Sequence, residues 1–281
     1  MSVKNTHPDY DNVLPDILMV RDFYHGERAV KDKTTTYLGP TVAQKLDGMG
    51  KSDPGRAAYE KYLEGARFPD LIKQAVENML GLMHKEDAVI TVPKKMEPLL
   101  LRITRQGESV YSLIRRINEQ QLITGRLGLL MDNDESTDLP YISLYYGEAI
   151  RNWDEGILES GTVANLSFVV LDEPTTKIDS DFKWTTTEMF RVLIMWANEE
   201  GGAKVYQTGV FEENFDETQL KPVELIGMQL EEIPFVFINT KDLLPTPDLP
   251  PLLGLAHKVL GIYRSEANYR YHLYMQSQDT L

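Results

Sequence analysis

The chain contains no cysteine. Disulfides, thiolate metal sites and cysteine nucleophiles are therefore outside its chemistry, and the absence fits an intracellular origin. Histidine is sparse: His7, His25, His84, His257 and His272 are scattered, and no two stand at a spacing such as His-Glu-x-x-His. No serine lies in Gly-x-Ser-x-Gly, and nothing marks a pair of carboxylates for acid–base work. No run reaches about 18 consecutive apolar residues, so no membrane-spanning helix is expected. The polar first dozen residues lack the apolar stretch of a signal peptide. Positive charge is also short, with 29 Lys and Arg against 43 Asp and Glu, a net charge of −14. Such a balance disfavours tight nonspecific binding to nucleic acid through phosphate neutralisation.

What is present is an ordinary globular composition, 42% hydrophobic and 26% charged over 281 residues. That is enough apolar material for a sizeable core in one or two domains. The pattern centres on residues 109–153. Val110, Leu113, Ile114, Ile117 and Leu122 recur at helical spacing, with Arg115, Arg116, Glu119 and Gln120 on the other face. Gly125 ends the helix, Leu127 to Met131 reads as a buried strand, and the acidic run Asp132 to Asp138 reads as a solvated turn before a second strand.

On the N-terminal side, His7 to His25 predicts a helix ending at Gly26, with Pro15 arguing for a start near Asn12. Lys31 to Asp53, with no period, predicts an extended surface loop. Pro54 to Gly65 predicts a second helix. Phe68 to His84 predicts a third, its apolar residues stepping by three and four without a miss. Ala88 to Val92 reads as a strand and Lys94 to Thr104 as helical.

Beyond Trp153 the segments 165–171, 189–197, 203–210, 223–229 and 234–238 favour strands, with a hairpin turn at Glu199 to Gly202. Asp242 to Pro251 carries four prolines and reads as a stiff connector. Leu252 to Gln276 predicts a long terminal helix whose buried side runs from Leu252 through Ala256, Val259 and Tyr263 to Tyr271 and Tyr274. A run of helices followed by a run of strands places the fold in the α+β class. The helical N-terminal half surrounds a short sheet, the middle is strand-rich, and a long helix closes the chain. Four segments follow: 1–53, 54–160, 161–240 and 241–281.

Three candidate sites compete with plainer readings. Gly48-Met-Gly-Lys51-Ser52 resembles the end of a P-loop, and Phe168 to Thr175, with Asp172 and Glu173, resembles a Walker B strand. Lys45 occupies the position of the required first glycine, and no apolar strand precedes it, so a flexible loop and an ordinary strand end take precedence. Asp132, Asn133, Asp134, Glu135 and Asp138 offer oxygen ligands for Mg²⁺ or Ca²⁺, but not at EF-hand spacing, and a solvated acidic turn takes precedence. The terminal helix interleaves Tyr263, Tyr269, Tyr271 and Tyr274 with Arg264, Arg270, His257 and His272. At helical spacing such tyrosines are packing residues, within the chain or between subunits, before they are stacking platforms for single-stranded nucleic acid. The same reasoning gives Gly125, Arg126, Trp153, Tyr263, Arg264 and Arg270 structural or intersubunit roles. For Arg126, in a chain rich in carboxylates, the expected partner is a carboxylate.

The order of the segments resembles the bacteriophage portal, or head-to-tail connector, proteins, in a subgroup first catalogued as of unknown function. The resemblance runs over about residues 7–275. Its parts are His7-Pro-Asp-Tyr10, Arg21-Asp22, Tyr59 to Arg67, Thr124-Gly-Arg-Leu-Gly-Leu-Leu-Met-Asp132, Pro140-Tyr141, Ile150-Arg-Asn-Trp153, Phe190 to Leu193, Ile233 to Phe237, Pro250 to Ala256 and Ile262 to Arg270. It implies a wing-and-stem fold and a non-enzymatic subunit without cofactor or metal, in a ring, usually a dodecamer, at a capsid vertex of the virion. Such rings are assembled in the bacterial cytoplasm. Double-stranded DNA passes through the ring during packaging and ejection. The terminase docks on it first, and capsid and neck or tail proteins are its later partners. It also implies that a full-length relative continues past the position of Leu281. A monomeric capsid-associated adaptor and a P-loop-like NTPase using Lys51, Ser52, Asp172 and Glu173 are the alternatives.

Overall fold

A computed structural model describes residues 2–86, 88–134, 139–155, 165–197, 204–225 and 228–278. Its helices in chain order are α1 (Pro8–His25), α2 (Glu27–Asp32), α3 (Val42–Leu46), α4 (Pro54–Gly65), α5 (Leu71–Met83), α6 (Glu97–Leu101), α7 (Val110–Thr124) and α8 (Leu253–Gln278). The strands are β1 (Arg126–Asp134), β2 (Leu139–Tyr146), β3 (Ile150–Glu155), β4 (Leu166–Asp172), β5 (Thr175–Ile178), β6 (Trp184–Thr187), β7 (Phe190–Trp196), β8 (Val205–Phe211), β9 (Lys221–Pro222), β10 (Glu224–Leu225), β11 (Met228–Gln229) and β12 (Phe235–Asn239). The fold is α+β. The chain divides into two compact units, residues 1–17 with 86–249, and residues 18–85 with 250–281, so that each draws on more than one of the segments read from the sequence.

The first unit is built on antiparallel sheets. Three strands run in the order β12-β1-β2 and five in the order β3-β4-β7-β8-β9. The inward residues of both, among them Leu130, Tyr145, Trp153, Val169, Leu193, Tyr206, Phe235 and Phe237, form one buried cluster. Alternation along each strand is what puts them on one side. The other face of the five-stranded sheet is covered in part by the N-terminal arm: Val3 donates its N–H to the Glu213 carbonyl and is buried with Phe190, Val192 and Phe211. Helix α7 leads into the sheets. Ser109 caps it by accepting the Ser112 N–H at 3.3 Å, and Gly125, at φ 74°, ends it in the left-handed conformation that only glycine adopts without cost.

In the second unit, Tyr59, Ile72, Val76, Ala256, Val259 and Tyr263 are all buried. Phe23, Phe68 and Tyr263 continue this as edge-to-face ring pairs, with centroids 4.9 and 5.5 Å apart.

Several expectations give way. Helix α1 starts at Pro8, with Pro15 in its interior rather than near its start. A proline at the first helical position is preorganised for that start, which outweighs the bond Pro15 forfeits. Residues 31–53 are not one extended loop: α2 ends at Asp32, a 3₁₀ turn covers Thr34–Thr36, and α3 is opened by a reciprocal Thr41–Gln44 capping box. Tyr37 and Leu38 are buried there. Ala88 to Val92 forms no strand, and Val89 is exposed. The helical stretch after Pro93 is a 3₁₀ turn and the five residues of α6. Gln120 is buried, not on a solvated face. The turn at Glu199 to Gly202 lies outside the described residues, though β7 and β8 pair antiparallel on either side of it.

Candidate functional site

Two residues singled out in the sequence, Arg126 and Trp153, meet in the first unit. Arg126 opens β1 directly after the Gly125 corner, and the Thr124 hydroxyl lies 2.8 Å from its carbonyl oxygen. Its side chain runs inward and is only 2% exposed. The guanidinium carbon lies 4.1 Å from the centre of the Trp153 ring on β3 and 4.8 Å from that of Phe237 on β12. Trp153 also stacks on His7 at 4.1 Å. The expected carboxylate partner is not there: among the described residues, none of the three guanidinium nitrogens has a hydrogen-bond partner. Two aromatic rings take its place, because the flat, weakly hydrated guanidinium stacks where an ammonium would not. Burial pushes the Arg126 pKa down to about 9, and the field of Asp9 only partly offsets this.

Asp132 is the second departure. It does not lie in a solvated acidic turn but is buried, with Arg191 of β7 donating to its Oδ2 at 2.6 Å. Tyr141 donates to the same oxygen at 3.3 Å, and Arg191 Nε donates to Thr208 Oγ1 at 3.2 Å. Nearby, the Tyr145 hydroxyl donates to Glu173 at 3.3 Å. Burial disfavours charge on Arg191, but the fields of Tyr145 and Asp132 outweigh it and hold the group cationic. This cluster fastens β1 and β2 to β7 and β8 across the buried core. It commits Asp132 to an ion pair rather than to a cation. Among the described residues no group of three or more His, Asp or Glu is arranged to hold a metal ion. Glu135 and Asp138 lie outside the described residues.

The second unit presents a groove of about 860 Å³ between α4 and α8. Tyr62, Ala267, Tyr271, Tyr274 and Met275 line it, with Lys61, Glu64, Arg67 and Arg270 among its charged residues. The Tyr62 hydroxyl donates to Asn268 Oδ1 at 2.7 Å and so ties the two walls together. Of the terminal-helix residues, Tyr263 is buried against Phe68, and burial raises its hydroxyl pKa to about 12. Arg264 donates to the Tyr37 carbonyl at 2.8 Å, and Arg270 pairs with Glu266. Tyr274, expected on the buried side, is exposed.

Along α8 the buried residues Ala256, Val259, Tyr263 and Ala267 form one stripe. A second apolar stripe, Ile262, Tyr269 and Leu273, is exposed. Its spacing of seven and four matches a coiled-coil seam, roughly 100° around the helix from the buried stripe. Neither stripe was separated from the other in the sequence. Reading the exposed one needed the burial of the first.

The P-loop resemblance fails on its surroundings. Gly48 to Ser52 follows helix α3 rather than a strand and precedes α4, and the Gly50 N–H is taken by Asp53 at 2.7 Å. At the end of β4, Asp172 faces Arg151 at 3.8 Å, and Glu173 accepts from Tyr145. No family model matches the chain, and no curated protein matches it.

Proposed function

We propose that the chain is a structural subunit of a phage portal: a ring at a capsid vertex of the virion through which double-stranded DNA passes, and on which the terminase and later the neck or tail proteins dock. The observation that carries this reading is the unused apolar seam of α8. At 1.5 Å per residue the helix is about 39 Å long. One stripe of it serves its own unit, while Ile262, Tyr269 and Leu273 face outward on a second. An exposed apolar stripe of this kind marks a surface for another protein, and helices with a second seam are suited to packing around a closed ring. Charge supports the same reading. A net charge of −14 repels phosphates, which favours a wall that DNA must slide past over one that grips it.

Native mass spectrometry and negative-stain imaging of the full chain test this. A ring is expected, and Leu273→Glu is expected to dissociate it while leaving thermal unfolding of the subunit nearly unchanged, since the residue is exposed. Self-association untouched by Leu273→Glu removes the seam from the account.

A further inference from the structure

The segment before α1 belongs to neither large sheet, yet it is seated on one. Ser2 pairs with Asn214 in an isolated antiparallel bridge, and the Val3 N–H donates to the Glu213 carbonyl at 2.9 Å. The Val3 side chain is buried with Val170 of β4, Phe190 and Val192 of β7 and Phe211 of β8. Extended peptides are recognised in this way, by main-chain bonds along an edge and a pocket for a side chain. The seat is therefore a peptide site, and the peptide it fits is residues 2–5 of this chain.

The middle of the segment is held less firmly than its ends. At the α1 end His7 is fixed. Its N–H donates to the Arg151 carbonyl at 2.9 Å, its Nδ1 accepts the Asp9 N–H at 3.1 Å, and its ring stacks on Trp153. Between the two anchors Lys4 and Asn5 are exposed. Lys4 and Glu188 approach to 4.0 Å in an exposed pair, of the kind that contributes little. The Asn5 carbonyl accepts from the Asn152 side chain at 3.2 Å. The chain turns at Val3 and Lys4, where the Lys4 N–H donates to Ser2 Oγ at 3.3 Å. The segment is thus used below its full reach, which is roughly 17 Å from His7 to Ser2 when extended.

We propose that in the assembled ring residues 2–5 of one copy cross to the seat at Phe190, Phe211 and Asn214 of its neighbour. The second copy is the occupant because the segment already seated there has its sequence. Every contact made within a chain is reproduced between chains, and none is lost. In an isolated chain the short tether keeps the seat filled by the chain's own segment. A neighbour held within reach presents its segment at a comparable effective concentration, so exchange follows assembly rather than driving it. Each copy then gives one segment and receives one. The contact joins two different surfaces, so it runs head to tail and ties a closed ring. The proposal rests on the ring reading above and adds a second link to the α8 seam.

The absence of cysteine makes the test clean. Ser2 and Asn214 are both exposed, so Ser2→Cys and Asn214→Cys leave the core untouched. Residues facing each other across an antiparallel bridge have Cα atoms about 4.5–5.5 Å apart, within the span of a disulfide. The full-length double variant is assembled, treated with oxidised glutathione and separated under non-reducing, denaturing conditions. The two single variants, co-assembled in equal amounts, are treated alongside. The double variant is expected to give a covalent ladder extending beyond the dimer. The single variants are expected to give a mixed dimer at least about tenfold above either homodimer, because only positions 2 and 214 face each other. A closed ring whose double variant cross-links only within each chain overturns the exchange and leaves the ring reading standing. A ladder from chains that form no closed ring keeps the exchange and overturns the ring. Intrachain bridges without a ring overturn both. Absence of any 2–214 bridge overturns the seat, and the exchange with it.

Discussion

The guanidinium of Arg126 lies over the Trp153 ring at 4.1 Å, buried and without a hydrogen-bond partner among the described residues. Burial outweighs the field of Asp9 and lowers the Arg126 pKa to about 9. The charged form is therefore a cost to the fold that Trp153 and Phe237 only moderate. Arg126→Met, similar in length and apolar, is expected to raise stability by about 1–3 kcal/mol, as replacement of buried charge does. Arg126→Ala is expected to lower it by about 2 kcal/mol through the cavity it leaves. Between about pH 9 and pH 12 the unfolded chain holds the Arg126 proton and the folded chain does not, so this residue's contribution rises with pH there. Denaturant midpoints at pH 7 and pH 10 measure both: the gain from Arg126→Met should be smaller at the higher pH.

The Asp132–Arg191 pair behaves oppositely on truncation. Asp132→Asn keeps the shape but leaves Arg191 buried with a neutral partner, and a loss of about 3 kcal/mol is expected. The double change to Asp132→Leu and Arg191→Leu is expected to cost less than Asp132→Asn alone. Urea unfolding of the set distinguishes a costly orphaned charge from a simple loss of packing, for which the double change would be the worst.

The buried tyrosines set the alkaline limit. Desolvation raises the pKa values of Tyr10, Tyr37, Tyr59, Tyr62, Tyr145, Tyr206 and Tyr263. Above pH 10 the folded chain keeps these protons while the unfolded chain has released them, so stability falls as pH rises beyond about 10. These groups together outweigh the single opposing trend of Arg126. Absorbance at 295 nm during an alkaline titration should show a delayed, cooperative step coincident with loss of secondary structure, rather than a smooth rise centred at pH 10.

Gly128 faces the core of the first unit, where a Cβ would lie 2.2 Å from the Phe235 ring. Gly128→Ala is expected to destabilise by about 1–3 kcal/mol through overpacking. Pairing with Phe235→Leu should recover part of that loss, and thermal melts of the single and double variants report it.

The sequence made legible those elements whose signals are local. The helix 54–65 matched to the residue, and the end of α7 was legible because Gly125 marks it. Strands β4, β7, β8 and β12 came within two residues, since apolar runs bounded by turns suffice to find them. The α3 helix was missed although its Thr41-x-x-Gln44 box was in view, because a five-residue helix has no period to read. The β5–β6 hairpin was missed because its strands lie on no core and alternate weakly. Asp132 was misjudged because its partner Arg191 is 59 residues away, and pairing at that distance is a tertiary fact. For the same reason the meeting of Arg126 with Trp153 could be suspected residue by residue but not as a contact.

The ring is the central claim, and the mass of the assembled full-length chain tests it most directly. Native mass spectrometry at micromolar concentration should find a closed species near twelve times the 32.1 kDa chain mass, with no ladder of intermediates at saturation. A chain that stays at 32.1 kDa throughout, or an open-ended series of masses without a dominant closed species, would contradict it.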